Sequence, residues 1–362
     1  MSAAFEIPPD VVALCDYERV AGERLDPMVR AWLDGGAADG LTHAANLSAW
    51  GQIALEGRLL ADLRSASTAL SLLGLDLAHP LLLAPLAYHH LAHPGGEAET
   101  ALGAAAGEAV FTFSTLASTP LADFGAAAQG PWWFQLYWQH RREDSLALIR
   151  AAEAAGAGAI LLTADAPVKL RNTEARIGFH LPEGVGAVNT AGFVQAPVQA
   201  RPGRSPAFLG ALETTPRWED IAWLREVTKL PLILKGVSSP GDALRALDAG
   251  FDAIVVSNHG GRALDTLPAT ARLLPRIASA LQGRLPILAD GGIRRGSDVV
   301  KALALGATAV MIGRPQFHAL SVGGARGVAH MLTILRAELE VAMAQTGCAR
   351  LEEISPDLIW RD

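Results

Sequence analysis

Eight short apolar runs recur along the chain, and each predicts a β-strand. None alternates apolar with polar residues over its whole length, so each is expected to be buried on both faces, like the strands of a helix-covered parallel sheet. Half of all residues are hydrophobic and only 19% are charged, which fits such a sheet. The runs are LLLAP (81–85), VFTFS (110–114), WWFQLY (132–137), AILLTAD (159–165), PLILKG (231–236), AIVVSN (253–258), PILADG (286–291) and AVMIGR (309–314).

Amphipathic segments separate most of these runs and predict helices. Eight β/α units favour an α/β fold of the closed (β/α)8 TIM-barrel type over an open doubly wound sheet, in a single domain over residues 1–362. Residues 1–75 carry helical pieces and are expected to form an N-terminal helical extension that packs against the barrel or plugs its base. The segments that predict barrel helices include 96–109, 143–158, 218–229 and 296–307, with a last helix from about 328 to 347.

The connection after the fourth strand is unusually long. It covers residues 166–217, and its middle, residues 184–212, is rich in Gly, Pro and Ala. Loops of this length in a compact barrel are usually active-site lids or mobile segments. We therefore expect an active-site loop, parts of which are disordered.

The net charge and the cysteine content narrow the possible binding partners and the cellular compartment of the protein. The formal net charge of −7 argues against nucleic acid, although a local basic pocket for a small anion is compatible with it. The stretch 70–91 is too polar to cross a membrane, and the first residues lack the features of a signal peptide. Cys15 and Cys348 fit neither a metal-ligand cluster nor a disulfide framework, so we expect a reducing, cytoplasmic compartment and no metal.

Polar or glycine-rich residues gather at the C-terminal ends of the predicted strands, where enzymes of this fold carry their chemistry. Together they are expected to form one ring of groups. In chain order they are Pro85, Leu86 and Ala87; Ser114; Gln135 and Tyr137; Thr163, Asp165 and the following Arg171; Lys235; Ser257, His259 and Arg262; Asp290, Gly291, Gly292 and Arg294; and Gly313 and Arg314.

The last two strands predict a phosphate site. Gly291, Gly292 and Gly313 allow backbone N–H groups to approach an anion, and Arg294 and Arg314 add positive charge. Each glycine alone is more often an ordinary turn residue. Their occurrence after both strands, each time with an arginine, favours the phosphate interpretation.

Lys235 and His259 each allow two interpretations. Lys235 is either a salt-bridged barrel lysine or a fixed positive charge beside a group that becomes anionic, such as a reduced flavin. His259 is either a structural histidine or a base. Because Asp165 ends a strand nearby in the barrel, a carboxylate–imidazole pair that orients and strengthens a base is plausible.

The motifs resemble those of the FMN-dependent 2-hydroxy-acid oxidases and dehydrogenases over essentially the whole chain. That family includes glycolate oxidase, L-lactate oxidase, mandelate dehydrogenase and the flavin domain of flavocytochrome b2. The resemblance rests on SNHGGRALD (257–265), DGGAADGLT (34–42), APLAYHHLAHPGGE (84–97), FQLYW (134–138), LTADAP (162–167), LKGV (234–237), ADGGIRRGSDVVKALALGA (289–307) and IGRP (312–315).

The resemblance implies catalytic and substrate-binding roles. His259 would take the proton from the substrate hydroxyl or, in the alternative mechanism, from C2, and Asp165 would stabilise its imidazolium. Arg262 and Arg171 would clamp the substrate carboxylate, and Tyr137 would donate to the substrate's oxygens.

The resemblance also implies an FMN site. Lys235 would stabilise the reduced flavin anion. The groups that would contact the flavin ring are the backbone of Pro85, Leu86 and Ala87 and the side chains of Ser114, Gln135, Thr163 and Ser257. Asp290 would hold the ribityl chain, and the phosphate would lie on Gly291, Gly292, Arg294, Gly313 and Arg314.

Four positions depart from the family pattern. Trp32 replaces a carboxylate-binding tyrosine, and Leu116 replaces the tryptophan of glycolate oxidase, which suggests a different side-chain pocket. Leu86 replaces a threonine that would contact the flavin through its backbone, so little consequence is expected. The segment KLRNTEARIGF (169–179) is one residue shorter than in the family pattern, which affects the match of Arg171 to the arginine that the family carries in this loop.

Ala87 favours O2 as electron acceptor, since alanine at this position is typical of the oxidases; the products would be a 2-oxo acid and hydrogen peroxide. The resemblance further implies an L substrate and a homotetramer. The alternatives are an acceptor-linked 2-hydroxy-acid dehydrogenase, a flavin-binding barrel without turnover, and an FMN-dependent isomerase. Tyr137 and Arg262 together disfavour the isomerase.

Overall fold

The computed structural model describes residues 5–166, 172–194, 202–203 and 215–361. Eight parallel strands close into a barrel in which neighbouring strands follow one another along the chain and the last strand pairs with the first, which confirms the predicted fold class. Each strand lies largely within one of the eight apolar runs, and only Val237, at the end of the fifth strand, extends beyond its run. The barrel strands are β3 (Leu81–Leu83), β4 (Phe111–Ser114), β5 (Trp132–Leu136), β6 (Ile160–Thr163), β7 (Leu232–Val237), β8 (Ala253–Val256), β9 (Ile287–Ala289) and β10 (Ala309–Ile312).

Alternate residues of the strands belong to two separate apolar clusters. Leu82, Leu161 and Val255 belong to a small cluster that fills the barrel interior. Leu81 and Leu83 belong to the larger cluster that includes the surrounding helices. Because successive strand residues point to opposite faces, burial on both faces explains why the runs are apolar throughout.

The barrel helices follow the predicted series. They are α4 (Gly96–Ala106), α5 (Leu121–Ala127), α6 (Arg142–Ala154), α8 (Asp220–Val227), α9 (Pro240–Asp248), α10 (Thr270–Leu281), α11 (Gly296–Ala304) and α12 (Arg314–Gln345). The expectation that the last helix starts near residue 328 was wrong, because α12 begins at Arg314 and is kinked at Gly323 and Gly324. The part before the kink is almost entirely buried after its first residue, so it shows no amphipathic pattern.

The N-terminal extension contains three helices, α1 (Leu14–Arg24), α2 (Pro27–Asp34) and α3 (Leu41–Ala49). It also contains an antiparallel hairpin that was not predicted, β1 (Leu70–Leu72) and β2 (Leu75–Leu77). The extension therefore combines three helices with a hairpin. Leu72 and Leu77 of the hairpin join the interior cluster of the barrel, so the hairpin plugs its N-terminal end.

The long connection after β6 carries one short helix, α7 (Asn172–Ile177), and a 3-10 turn at Val188–Thr190. Asn189 in that turn accepts from the backbone N–H of Leu121 at 2.8 Å and donates to the Thr119 carbonyl at 2.9 Å, which attaches this part to the loop after β4. Residues 195–201 and 204–214, within the segment predicted to be mobile, lie outside the described residues. Among the residues that are described, no helix has the length and apolar character needed to span a bilayer.

Candidate active site

A cavity of about 350 Å³ opens at the C-terminal end of the barrel strands. Arg171 lies outside the described residues, and Asp165 and Ser257 lie behind the cavity wall rather than in it. The other residues predicted for the site all line the cavity. They are Trp32, Pro85, Leu86, Ala87, Ser114, Leu116, Gln135, Tyr137, Thr163, Lys235, His259, Arg262, Asp290, Gly291, Gly292, Arg294, Gly313 and Arg314.

His259 and Asp165 form the carboxylate–imidazole pair. Nδ1 of His259 lies 2.7 Å from Oδ1 of Asp165, and Nε2 lies 3.3 Å from the Tyr137 hydroxyl on the cavity side. A proton on Nδ1 in the bond to Asp165 leaves the lone pair on Nε2. The carboxylate stabilises the positive charge that the ring gains when Nε2 accepts a proton. We call the part of the cavity around His259, Tyr137 and Arg262 the His259 end.

The backbone that carries His259 is held in an unusual conformation. His259 itself has a φ of 59°, and Gly260 and Gly261 follow at 61° and 76°. A left-handed conformation in a non-glycine residue is costly and persists only when its surroundings enforce it. Here the Ser257 hydroxyl accepts from the His259 N–H at 3.0 Å, and the Asn258 side chain accepts from the Gly261 N–H at 3.1 Å.

A buried amide pair supports this turn from the N-terminal extension. Asn46 donates to Asn258 at 2.7 Å, and Asn258 donates back to Asn46 at 2.9 Å. Asn46 also accepts from the backbone N–H of Thr270 at 3.1 Å. The role of Asn46 was not predicted, because nothing in the sequence connects α3 with the turn after β8.

Contacts within the protein fix the orientation of the Arg262 side chain. Its Nη1 donates to the carbonyls of Trp32, Leu33 and Gly35 at 2.6, 3.2 and 3.0 Å, and its Nη2 lies 3.4 Å from the Glu174 carboxylate. Its guanidinium lies 5.4 Å from the centre of the Trp32 ring. An arginine held in one orientation at a cavity wall can bind a carboxylate with little loss of side-chain entropy.

Tyr137 is a neutral hydrogen-bonding group. Burial, together with the Asp165 carboxylate, raises the pKa of the phenol well above its ordinary value. The hydroxyl therefore stays protonated at physiological pH. It can donate to a substrate oxygen without changing its charge.

Lys235 forms a salt bridge and also lines the cavity. Its ammonium lies 3.2 Å from the Asp290 carboxylate and donates to the Ser257 hydroxyl at 3.0 Å. Burial lowers the pKa of Lys235, but Asp290 and Asp165 outweigh that effect, so the net shift is upward and the side chain is charged. The salt bridge and the position in the cavity wall are both present, so the two interpretations of Lys235 are compatible.

Three cavity residues carry buried polar atoms that find no partner among the residues the structure describes, namely Nε2 of Gln135, Oγ1 of Thr163 and Oδ1 of Asp290. Ser114 donates to the carbonyl oxygen of the Gln135 amide at 3.1 Å, so the amide donor remains for a ligand. Buried polar groups in native proteins are nearly always bonded. A ligand with several acceptor atoms and hydroxyls is therefore expected here, and FMN has this character.

At the other side of the cavity, which we call the phosphate end, glycines and arginines meet. Gly292 has a φ of 85°, and a Cβ there would lie 1.9 Å from the Asn46 carbonyl oxygen, whereas a Cβ at Gly313 would meet nothing within 4 Å. Burial and the like charges of Arg262 and Arg294 lower the pKa of Arg314 to about 9. Clustered buried cations need a counter-anion, so this end fits the phosphate of FMN.

Other cavity residues, among them Tyr88 and Phe179, were not predicted. The Phe179 ring stacks on that of the predicted Trp32 with ring centres 5.5 Å apart, and the Tyr88 ring centre lies 6.1 Å from that of Trp32, which gives the cavity an aromatic wall. Tyr88 directly follows the predicted Pro85–Ala87 segment, so its neighbourhood was the available signal. Phe179 comes from the long loop, where no strand pattern marks it. The remaining unpredicted lining residues are Leu33, His43, Asn46, Leu47, Ala84, Glu174, His180, Leu181, Gly260, Ile293 and Met311.

Comparison with known proteins gives one consistent result. A family model described as FMN-dependent dehydrogenase matches residues 21–361. The chain is 48% identical to an L-lactate oxidase of Alicycliphilus denitrificans over 99% of both chains. It is 37% identical to glycolate oxidase 3 of Arabidopsis thaliana, covering 98% of this chain and 97% of that one. A solved structure of mandelate oxidase with (S)-2-phenylpropionate superimposes with a TM-score of 0.87 and 37% identity, over 96% of this chain and 98% of that one.

Proposed function

This chain belongs to the FMN-dependent dehydrogenase family, and we propose that it oxidises an L-2-hydroxy acid to the 2-oxo acid, with O2 as acceptor and hydrogen peroxide as second product. The family membership confirms the resemblance inferred from the motifs. The observation that carries the proposal is the His259–Asp165 pair at 2.7 Å beside the fixed guanidinium of Arg262. A base and a carboxylate-binding group on one cavity wall suit a 2-hydroxy acid.

The residues of the cavity fit FMN. Gln135 and Thr163 offer a donor and a hydroxyl to the ring, and Asp290 offers an acceptor to the ribityl chain. Lys235 would place a positive charge beside the ring. The phosphate would be held by the backbone of Gly291, Gly292 and Gly313 and by the side chains of Arg294 and Arg314. Bound FMN supplies the two-electron acceptor of the reaction.

In the proposed mechanism His259 accepts the proton of the substrate hydroxyl at Nε2, or the C2 proton in the alternative mechanism. Asp165 stabilises the imidazolium through Nδ1. Arg262, with Arg171 from the long loop, holds the substrate carboxylate and so orients C2. Tyr137 donates a hydrogen bond to a substrate oxygen while it stays neutral.

The acceptor and the acid are supported by different features. Ala87 and the names of the relatives, which are oxidases, support O2; an acceptor-linked dehydrogenase is the alternative. The similarity to L-lactate oxidases supports a short L-2-hydroxy acid. The aromatic wall of Trp32, Tyr88 and Phe179, with Leu116 close by, suits an apolar substituent on C2, so lactate and mandelate bracket the range to be assayed.

We also propose that residues 1–362 form one domain, with residues 1–75 as the extension and residues 166–217 as an active-site loop. A homotetramer is proposed from the family resemblance alone. A reducing, cytoplasmic compartment is proposed because Cys15 and Cys348 are both unpaired thiols.

The test is anaerobic mixing of the yellow holoenzyme with racemic lactate, mandelate and longer 2-hydroxy acids, followed by oxygen consumption. Loss of the visible flavin absorbance with at least one acid, and peroxide formation once oxygen is admitted, are expected. Bleaching without oxygen uptake would indicate the acceptor-linked dehydrogenase. If no acid bleaches the flavin, the oxidase proposal is wrong, and the flavin-binding barrel without turnover or the isomerase takes its place.

A further inference from the structure

His43 lies at the phosphate end of the cavity, although no motif marks it. It is the third residue of α3, its side chain is half-buried, and it lines the same cavity as Arg294 and Arg314. An ionisable ring beside two arginines is an unusual choice for a cavity wall unless an anion also binds there. The position therefore raises the question of what His43 does when the phosphate is bound.

The contacts of His43 fix the ring next to Arg314. Arg314 donates to the Gly260 carbonyl at 3.0 Å and to the Gly35 carbonyl at 2.9 Å. His43 packs against the residues that follow these two carbonyls, because a Cβ at Gly36 would lie 3.1 Å, and one at Gly261 2.9 Å, from the His43 Cβ. The Gly260 carbonyl also acts on the His43 ring as a hydrogen-bond acceptor that raises its pKa.

The charges around His43 come from several elements. Burial is the largest cause that lowers the pKa of His43, followed by Arg314, and Arg294 adds to it. The bond to Gly260 and the carboxylate of Asp34 in α2 oppose these effects, and the resulting pKa is about 4. The remaining charged neighbours of the two arginines are Arg262 and, from α1, Glu18. Without an anion the ring is therefore neutral at physiological pH, and a phosphate dianion between the arginines would favour its charged form.

We infer that His43 is an additional residue of the FMN phosphate site, and that it takes up a proton when the phosphate binds. The inference rests on FMN as the cofactor within the proposed function, but it does not depend on which acid is oxidised. It makes the affinity for FMN depend on the protonation of His43.

The direction of the pH effect follows from linkage. Binding of the phosphate raises the pKa of His43 from about 4, so the complex holds more protons than the free protein at all pH values between the two pKa values. The contribution of His43 to FMN affinity is therefore lost as pH rises through the pKa of the complex. Below about pH 4 both forms are protonated and nothing further is gained. The second ionisation of the phosphate, near pH 6, acts in the opposite direction but is shared by all variants.

The experiment compares FMN with riboflavin, which lacks the phosphate, on wild-type and His43→Gln apoenzyme by flavin fluorescence titration. Glutamine keeps a donor for Gly260 but cannot take up a proton. His43→Gln is expected to weaken FMN binding by about tenfold near pH 6 and by less than about twofold near pH 9. Riboflavin affinity is expected to be unchanged at both pH values.

Each other outcome overturns the inference. Equal losses for FMN and riboflavin would mean that His43 only supports the fold. An equal FMN loss at both pH values would mean a neutral contact, and no loss would mean no contact. If the variant does not fold as apoenzyme, calorimetry on the wild type in buffers of different ionisation enthalpy decides. Near pH 7, binding of FMN should take up more protons than binding of riboflavin, and equal uptake would overturn the inference. Acid oxidation is assayed separately on the holoenzyme, so failure here and failure of the proposed function are distinguishable.

Discussion

At the His259 end of the cavity a carboxylate is paired with the imidazole, whereas at the phosphate end the buried guanidinium of Arg314 lies near the like charges of two other arginines. Asp165 bonds His259, the amide pair of Asn46 and Asn258 holds the turn, and backbone carbonyls hold Arg262. Arg294 and Arg314 instead line the same space: burial lowers the pKa of both, and the like charges of Arg262 and Arg294 lower the pKa of Arg314 further. The first end is arranged before ligand binds, and the second is completed by an anion. Substitutions should therefore affect rate at one end and cofactor affinity at the other.

The largest effect is expected from His259→Gln. Loss of a general base costs about 10²–10⁴-fold, so the rate of anaerobic flavin reduction should fall by that factor. FMN should stay bound, because His259 has no part in the phosphate end. Stopped-flow absorbance measures the rate, and the flavin spectrum of the purified variant measures cofactor content. A variant that is purified colourless would contradict the separation of the two ends.

Arg262→Met should come next, with a loss in kcat/KM of about 10²-fold. The substrate carboxylate would lose its anchor, so KM should rise, and C2 would lose its orientation, so kcat should fall. Steady-state oxygen consumption over a range of acid concentrations measures both constants. A wild-type KM would remove Arg262 from the substrate site.

At the phosphate end, Gly292→Ala should reduce stability by about 1–3 kcal/mol and weaken FMN binding. Alanine disfavours the φ of 85°, and its Cβ would lie 1.9 Å from the Asn46 carbonyl oxygen. Gly51→Ala is the matched control, because its Cβ would meet nothing within 4 Å and its φ is not left-handed. Denaturant unfolding and FMN titration of both variants measure the effects. If the two variants were equally stable, the Asn46 backbone would have to move aside at no cost. That would contradict the view that the buried amide pair of Asn46 and Asn258 holds Asn46 in place.

The sequence predicted the barrel and the ring of site residues for one physical reason. Strands buried on both faces are apolar throughout, so each could be found, and parallel strands end on one face, so the residues after them must meet. The hairpin at residues 70–77 was missed because its strands have three residues each and carry too little pattern. His43, Tyr88 and Phe179 were missed because tertiary contacts of the extension and of the loops bring them to the cavity.

Ser257→Ala should have the smallest effect, and it tests whether the hydroxyl couples His259 to Lys235 beside the flavin ring. The Ser257 hydroxyl accepts from the Lys235 ammonium and from the His259 N–H, each at 3.0 Å. Loss of a buried hydrogen-bond partner costs about 1 kcal/mol, or about fivefold, and Lys235 keeps Asp290. Flavin reduction and FMN affinity should therefore both fall by about fivefold, as measured by stopped-flow absorbance and fluorescence titration. Ser48→Ala, at an exposed position of α3, is the control and should change neither. A change in only one of the two quantities would show that the hydroxyl does not couple His259 to Lys235, because only one of its two donors would then depend on it.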